Sequence, residues 1–185
     1  MNRICSLCAL LVGFALAPEA QAEWIDRKGG VLPESAFRKS EGDFSAWLVQ
    51  VPDDRELYEA WSLPAEVVEI READRVLVNS PISFFVVFGG CAVDPAGNCQ
   101  VDVRFRVLAP DGTVYTQTPP MEVWVAKPAP VSGLLELSVG YLKIAVESHE
   151  QVGRYRVQAK VRDHVAGKEL GLEKSFEALP LGAVP

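Results

Sequence analysis

The chain has 185 residues, a formal charge of −7 and a composition that is 49% hydrophobic. That acidity argues against nucleic acid and anionic lipid surfaces as partners, because both repel it. No apolar stretch reaches the roughly 20 residues of a comfortable membrane span, and the longest beyond the N-terminus, 82–88, is strand-sized.

The chain opens with Met1-Asn2-Arg3, an apolar run over 4–17 and then Ala20-Gln21-Ala22. A short cationic head, an apolar stretch and an A-x-A site are the three parts of a secretory signal. Cleavage is expected between Ala22 and Glu23, leaving 163 of the 185 residues, one domain's worth. Cys5 and Cys8 have C-x-x-C spacing but fall inside this segment. Cys91 and Cys99 remain, and outside the cytoplasm an even pair favours a disulfide. Closing so short a loop stabilises by about 2–3 kcal/mol in the chain-entropy model.

Residues 23–43 lack periodicity and read as an irregular N-terminal arm. A sandwich domain is expected over 44–179 and a short tail over 180–185. Residues 45–51 alternate as a strand, with Ala46, Leu48 and Gln50 on one face and Trp47, Val49 and Val51 on the other. Asp53 then caps a helix, with Glu56 three residues on as in a capping box. Leu57, Tyr58 and Trp61 form its apolar stripe and Pro64 ends it; the helix is expected as a lid over one end of the sandwich.

From residue 66 the pattern is β. A short strand covers 76–78, and 82–88, apolar on both faces, belongs in the middle of a sheet. In 100–108, Val101, Val103, Phe105 and Val107 face a core while Asp102, Arg104 and Arg106 face water. Pro110-Asp111-Gly112 is a turn, followed by a strand at 114–117. Proline pairs bracket 121–126 and send it to a sheet edge or between sheets. Strands follow at 134–138 and 141–147. In 153–162, Tyr155, Val157, Ala159 and Val161 point inward, while Arg154, Arg156, Gln158, Lys160 and Arg162 point out. Leu170, Leu172 and Phe176 alternate with Glu169, Glu173 and Glu177, making an antiparallel hairpin. If Arg162 faces Glu169, Arg154 faces Glu177, and cross-strand ion pairs are expected to neutralise most of the basic stripe. The fold class is mainly β: an antiparallel immunoglobulin-like sandwich with one short helix. A barrel is the main competitor, and parallel pairing is not expected where strand follows strand.

The run Gly153-Arg-Tyr155-Arg-Val157-Gln-Ala159-Lys-Val161-Arg-Asp163, followed by Gly167-Lys-Glu-Leu170-Gly-Leu172 and Phe176, resembles the last hairpin of bacterial immunoglobulin-like and macroglobulin-type domains. With the Cys91–Cys99 loop and Ala109-Pro110-Asp111-Gly112, the chain is similar to small proteobacterial exported proteins of unassigned function. The resemblance implies a fold and a compartment; it supplies no active site.

Catalytic signatures are absent: there is no G-x-S-x-G elbow and no H-E-x-x-H. His149 and His164 sit at opposite ends of a strand spanning about 33 Å, too far apart to share a metal. Asp94, Asn98 and Asp102 offer oxygens at a spacing that does not match an EF-hand loop. No catalytic residue, metal or cofactor is therefore expected. The first candidate contact is the proline-bracketed edge, with Tyr115, Met121 and Trp124 as anchors. The second is the disulfide loop. The expectation is a periplasmic or secreted, non-enzymatic binding or accessory module of the cell envelope with a protein partner. A small envelope hydrolase or metal-dependent enzyme is the alternative, and would need His149 or His164 to meet carboxylates in a deep pocket. A purely structural envelope protein is the third.

Overall fold

The computed structural model describes residues 24–25, 31–63 and 68–183. The signal-like segment, its Ala22–Glu23 junction and Pro64 lie outside the described residues. A two-stranded ribbon pairs β1 (Trp24–Ile25) with β2 (Val31–Leu32). Two larger sheets follow. The first has five strands: β3 (Arg38–Glu41), β4 (Phe44–Val51), β6 (Pro81–Gly89), β10 (Glu136–Leu137) and β11 (Leu142–Ala145). The second has six: β5 (Arg75–Leu77), β7 (Asn98–Leu108), β8 (Val114–Gln117), β9 (Met121–Pro128), β12 (Gly153–Asp163) and β13 (Lys168–Leu179). Among the described residues one helix, α1 (Asp54–Ser62), stands between β4 and β5.

The sheets pack face to face as a β-sandwich. Its interior takes Ala46 and Leu48 from β4, Ile82, Phe84, Val86 and Phe88 from β6, and Val103, Phe105, Tyr155 and Val157 from the second sheet. The last four are all buried. Phe176 stacks on Tyr155 at 5.3 Å and meets Phe84 at 5.8 Å, tying the two sheets together. Full burial of each such side chain contributes about 1.5–3 kcal/mol, against the entropy of ordering it. β6 is central, as its two apolar faces require: β4 flanks it on one side, β10 and β11 on the other.

The other face of β6 and β4 explains the helix. Val49, Val51, Phe85 and Val87 form a second apolar layer with Leu57 of α1, and Trp47, Trp61 and Tyr141 complete it. The helix therefore covers the outer face of the first sheet instead of one end of the sandwich. A strand apolar on both faces needs a cover on both, and α1 supplies the second. Asp53 caps it, accepting from Arg55 N and Glu56 N at 2.9 and 3.2 Å.

Two further differences from the sequence expectation have physical causes. Residues 38–41, read as part of an irregular arm, form β3 and pair with β4; this strand is polar because it lies at a sheet edge. The sheets meet at that edge, where Glu173 N donates to Ala36 O at 2.7 Å. Finally, β5 pairs with β13 in parallel, because the chain returns from α1 to the far edge of the other sheet.

Candidate functional site

The second sheet has one face in the core and one in water. On the water side, register places Gln117 of β8, Arg106 of β7, Gln158 of β12 and Glu173 of β13 in one row. The adjacent row holds Arg104, Lys160 and Gly171. The segment carrying Ala36 and Lys39 closes one end. Together these residues line a concavity of about 610 Å³.

The basic stripe keeps the predicted register, with Arg162 opposite Glu169 and Arg154 opposite Glu177. It is not neutralised in the expected way. Lys160 reaches diagonally to Glu169 at 3.0 Å, Glu177 lies 3.6 Å from Arg75, and Glu173 accepts from Gln158 Nε2 at 2.9 Å. Among the described residues no carboxylate pairs with Arg154, Arg156 or Arg162. Nor does one pair with Arg104 or Arg106, which β7 adds to the same face.

Gly171 sits mid-strand, exposed and outward. Glycine there weakens a strand by about 0.5–1 kcal/mol relative to alanine. Three structural reasons for a glycine fail here: its φ is not positive, the register through it is unbroken, and an added Cβ would meet nothing within 4 Å. Close approach by another molecule is a further use of a mid-strand glycine.

The residues singled out at the proline-bracketed edge are drawn inward. Trp124 is half-buried, its ring 5.8 Å from Phe88, its Nε1 donating to Pro128 O at 2.9 Å and Lys127 Nζ 4.9 Å over its face. Met121 and Tyr115 also pack against the main core. Two bulges in the β7–β9 pairing bring both Val123 and Trp124 toward the interior. The outer edge of β9 takes backbone donors from Val139 N and Gly140 N, at 3.3 and 2.7 Å. Ala126, the extra residue of the second bulge, is held at φ +52°. Alanine is strained there, so Ala126→Gly is expected to raise stability by up to about 1 kcal/mol in urea unfolding.

The Tyr115 hydroxyl, 2.8 Å from Glu150 Oε2 and 3.2 Å from Ala145 O, has its one proton between these two acceptors. Burial, then Glu150, pushes its hydroxyl well above the ordinary range. Tyr58 and Tyr155 are raised chiefly by burial, and Tyr141 chiefly by its hydrogen bond to Asp54. All four tyrosines thus hold their protons longer folded than unfolded. Above pH ~10 the unfolded chain releases protons that the native chain keeps, so this contribution is complete below that pH and is lost as pH rises through the folded values. An alkaline titration should show tyrosinate absorbance appearing together with loss of the native circular dichroism; ionisation of tyrosine in a chain still folded would contradict this.

Cys91 and Cys99 form the disulfide, Cα to Cα 6.0 Å. Within its loop the Asp94 carboxyl accepts from Ala96 N and Asn98 N at 2.8 and 2.9 Å, so it closes a turn. Asp102 contacts His164 Nε2 at 2.5 Å, and His149 lies 3.3 Å from Glu147. The two histidines stand at opposite ends of β12. Among the described residues, no three His, Cys, Asp or Glu side chains converge on a point that would hold a metal ion. No described helix is long and apolar enough to cross a membrane.

No protein-family model matches the chain, and no curated protein matches it. Similar solved structures include a family 123 glycoside hydrolase from Clostridium perfringens, at 10% identity over 74% of this chain with TM-score 0.42. Another is the alkylpurine DNA glycosylase AlkC of Pseudomonas fluorescens, at 14% identity over 57% of the chain with TM-score 0.34. A CARDB domain from Pyrococcus furiosus, solved with di-metal ions, matches 60% of the chain at 19% identity with TM-score 0.33. The chain spans 27% of each of the first two proteins and 83% of the third.

Proposed function

We propose that this chain is an exported, non-enzymatic binding module of the cell envelope, and that its ligand lies on the outer face of the six-stranded sheet. The observation that carries this is the concavity floored by Gly171 and lined by Arg104 and Arg106, cations that no carboxylate among the described residues neutralises. Exposed arginines present fixed forks of charged donors, so they hold affinity in reserve for an incoming acid. The signal-like N-terminus and the Cys91–Cys99 disulfide support a place outside the cytoplasm. A site on a rigid sheet face also suits recognition without rearrangement.

The test compares retention of solubilised envelope material by the immobilised chain. Gly171→Tyr fills the concavity without touching the core, and Arg104→Glu with Arg106→Glu inverts its charge. Both variants should lose the retained material, while Trp124→Ala keeps it. Equal retention by the wild type and both groove variants would remove this face from the reading.

A second reading keeps a protein partner at the β9 end. The segment after β9 exposes Val131 at 70%, Leu134 at 56%, Val139 at 50% and Leu135 at 40%. These exposed aliphatic side chains stand on both sides of β10, and Val139 N bonds Val123 O next to Trp124; exposed apolar side chains of this kind are what protein interfaces use. In the same assay, loss with Leu134→Ser and Trp124→Ala but not with the groove variants would favour it.

A further inference from the structure

We infer that the occupant of this face is a linear glycan carrying carboxylates, of the uronate class, lying across the strands. The inference rests on the binding-face reading above and names its ligand chemistry. It stands on the mixture of groups, their direction and the glycine.

The mixture comes first. Arg104 and Arg106 supply guanidinium forks, which match carboxylates bidentately; Lys39 and Lys160, the latter already paired with Glu169, add two ammonium groups. Gln117 and Gln158 are amides, which both donate and accept. Glu173 accepts only; Gln158 Nε2 gives it one donor, its remaining lone pairs suit donors from a ligand, and a bare polyanion would meet it as a like charge. Hydroxyls and carboxylates on one chain satisfy the whole set.

Direction decides between glycan and peptide. The row Gln117, Arg106, Gln158, Glu173 steps from strand to strand and ends at Ala36, which accepts from Glu173 N. At about 4.8 Å per strand this row is roughly 19 Å long. The rings of a linear polysaccharide repeat at close to the interstrand spacing, so successive rings meet successive strands. Same-face side chains of an extended peptide repeat at about 6.6–6.8 Å and fall out of step with it. The peptide's own amides would also find the sheet's backbone groups spent in the ladder.

Gly171 then has a purpose. With no Cβ, it lets the flat face of a ring settle on the strand between Lys160 and Glu173. The chain's net charge of −7 works against any anion at long range, but salt screens that repulsion beyond about 8–10 Å and the local cations govern the contact.

The experiment is calorimetry of the purified chain with short oligogalacturonates, with neutral cello-oligosaccharides, oligoglutamate and inorganic polyphosphate as the other arms. Oligogalacturonate should bind at least about tenfold tighter than each of the others, and Arg104→Gln and Arg106→Gln should each lose about tenfold. Gly171→Thr should lose binding while its melting temperature rises by roughly 1–4 °C, since the strand gains a better residue. Oligoglutamate or polyphosphate binding as tightly as the uronate would overturn the glycan, and so would undiminished uronate binding by Gly171→Thr. Absence of uronate binding, with envelope material still lost by Gly171→Tyr, sinks the glycan and spares the binding face. Failure of both assays sinks both.

Discussion

Replacing Gly90 by alanine is expected to destabilise the chain by about 4 kcal/mol or more, a large part of the whole stability of a domain this size. Gly90 ends the exit from β6 at φ +67°, where a side chain is already strained. The decisive fact is contact: an added Cβ would lie 1.8 Å from the Asp43 carbonyl oxygen. That oxygen belongs to the backbone of the turn leading into β4, so no side chain can swing aside. Relief requires separating β4 from β6, the centre of the first sheet. Gly97 is the control. It has a φ of +83° but open space around its missing Cβ, so Gly97→Ala should cost only about 1 kcal/mol. Chemical unfolding of both variants checks the difference; similar midpoints would contradict it.

The second large effect lies one contact away. Asp163 ends β12 with its side chain fully buried. One carboxyl oxygen accepts from Ala92 N at 2.8 Å, and the other from Val165 N at 2.9 Å and Ala166 N at 3.2 Å. This one residue shapes the β12–β13 turn and pins the start of the disulfide loop to it. Asp163→Ala leaves three backbone donors without a partner and is expected to cost about 3–4 kcal/mol. Asp163→Asn keeps the shape but turns an amide donor toward at least one N–H, so it should cost about 2 kcal/mol. A loss under 0.5 kcal/mol for the alanine variant would show that water replaces the carboxyl at no cost.

What the sequence made legible follows from its two-residue period. Val103, Phe105, Tyr155 and Val157 are inside because alternation leaves them no other face. The hairpin register was readable because both strands are long and the turn between them is short. The Asp53 cap was readable because capping is local. The proposed binding face was not, because β7 and β12 are neighbours only in space. Arg104 and Arg106 join Gln158 and Lys160 through a pairing that crosses about 50 residues of chain, and no local pattern announces it. The same holds for α1: alternation showed that Trp47, Val49 and Val51 are apolar, but not that the helix would cover them.

Trp124 shows where a local pattern stops. Prolines around an aromatic do mark an edge, yet bulges turned its ring to Phe88 and its N–H to Pro128. Bulge positions depend on the partner strand and left no trace in the sequence of β9 alone. Gly171 did carry a signal: a glycine between Leu170 and Leu172 in an otherwise regular strand is a local defect, and such defects point to function when nothing structural accounts for them.

The most direct test maps the contact itself, by following backbone amide shifts of the labelled chain as solubilised envelope polysaccharide is added. The account predicts that the perturbed amides cluster at 104–106, 158–160 and 171–173, three stretches far apart in sequence that only this sheet face unites. Perturbations confined to 91–99 or 121–139, with those three stretches silent, would place the site elsewhere and contradict it.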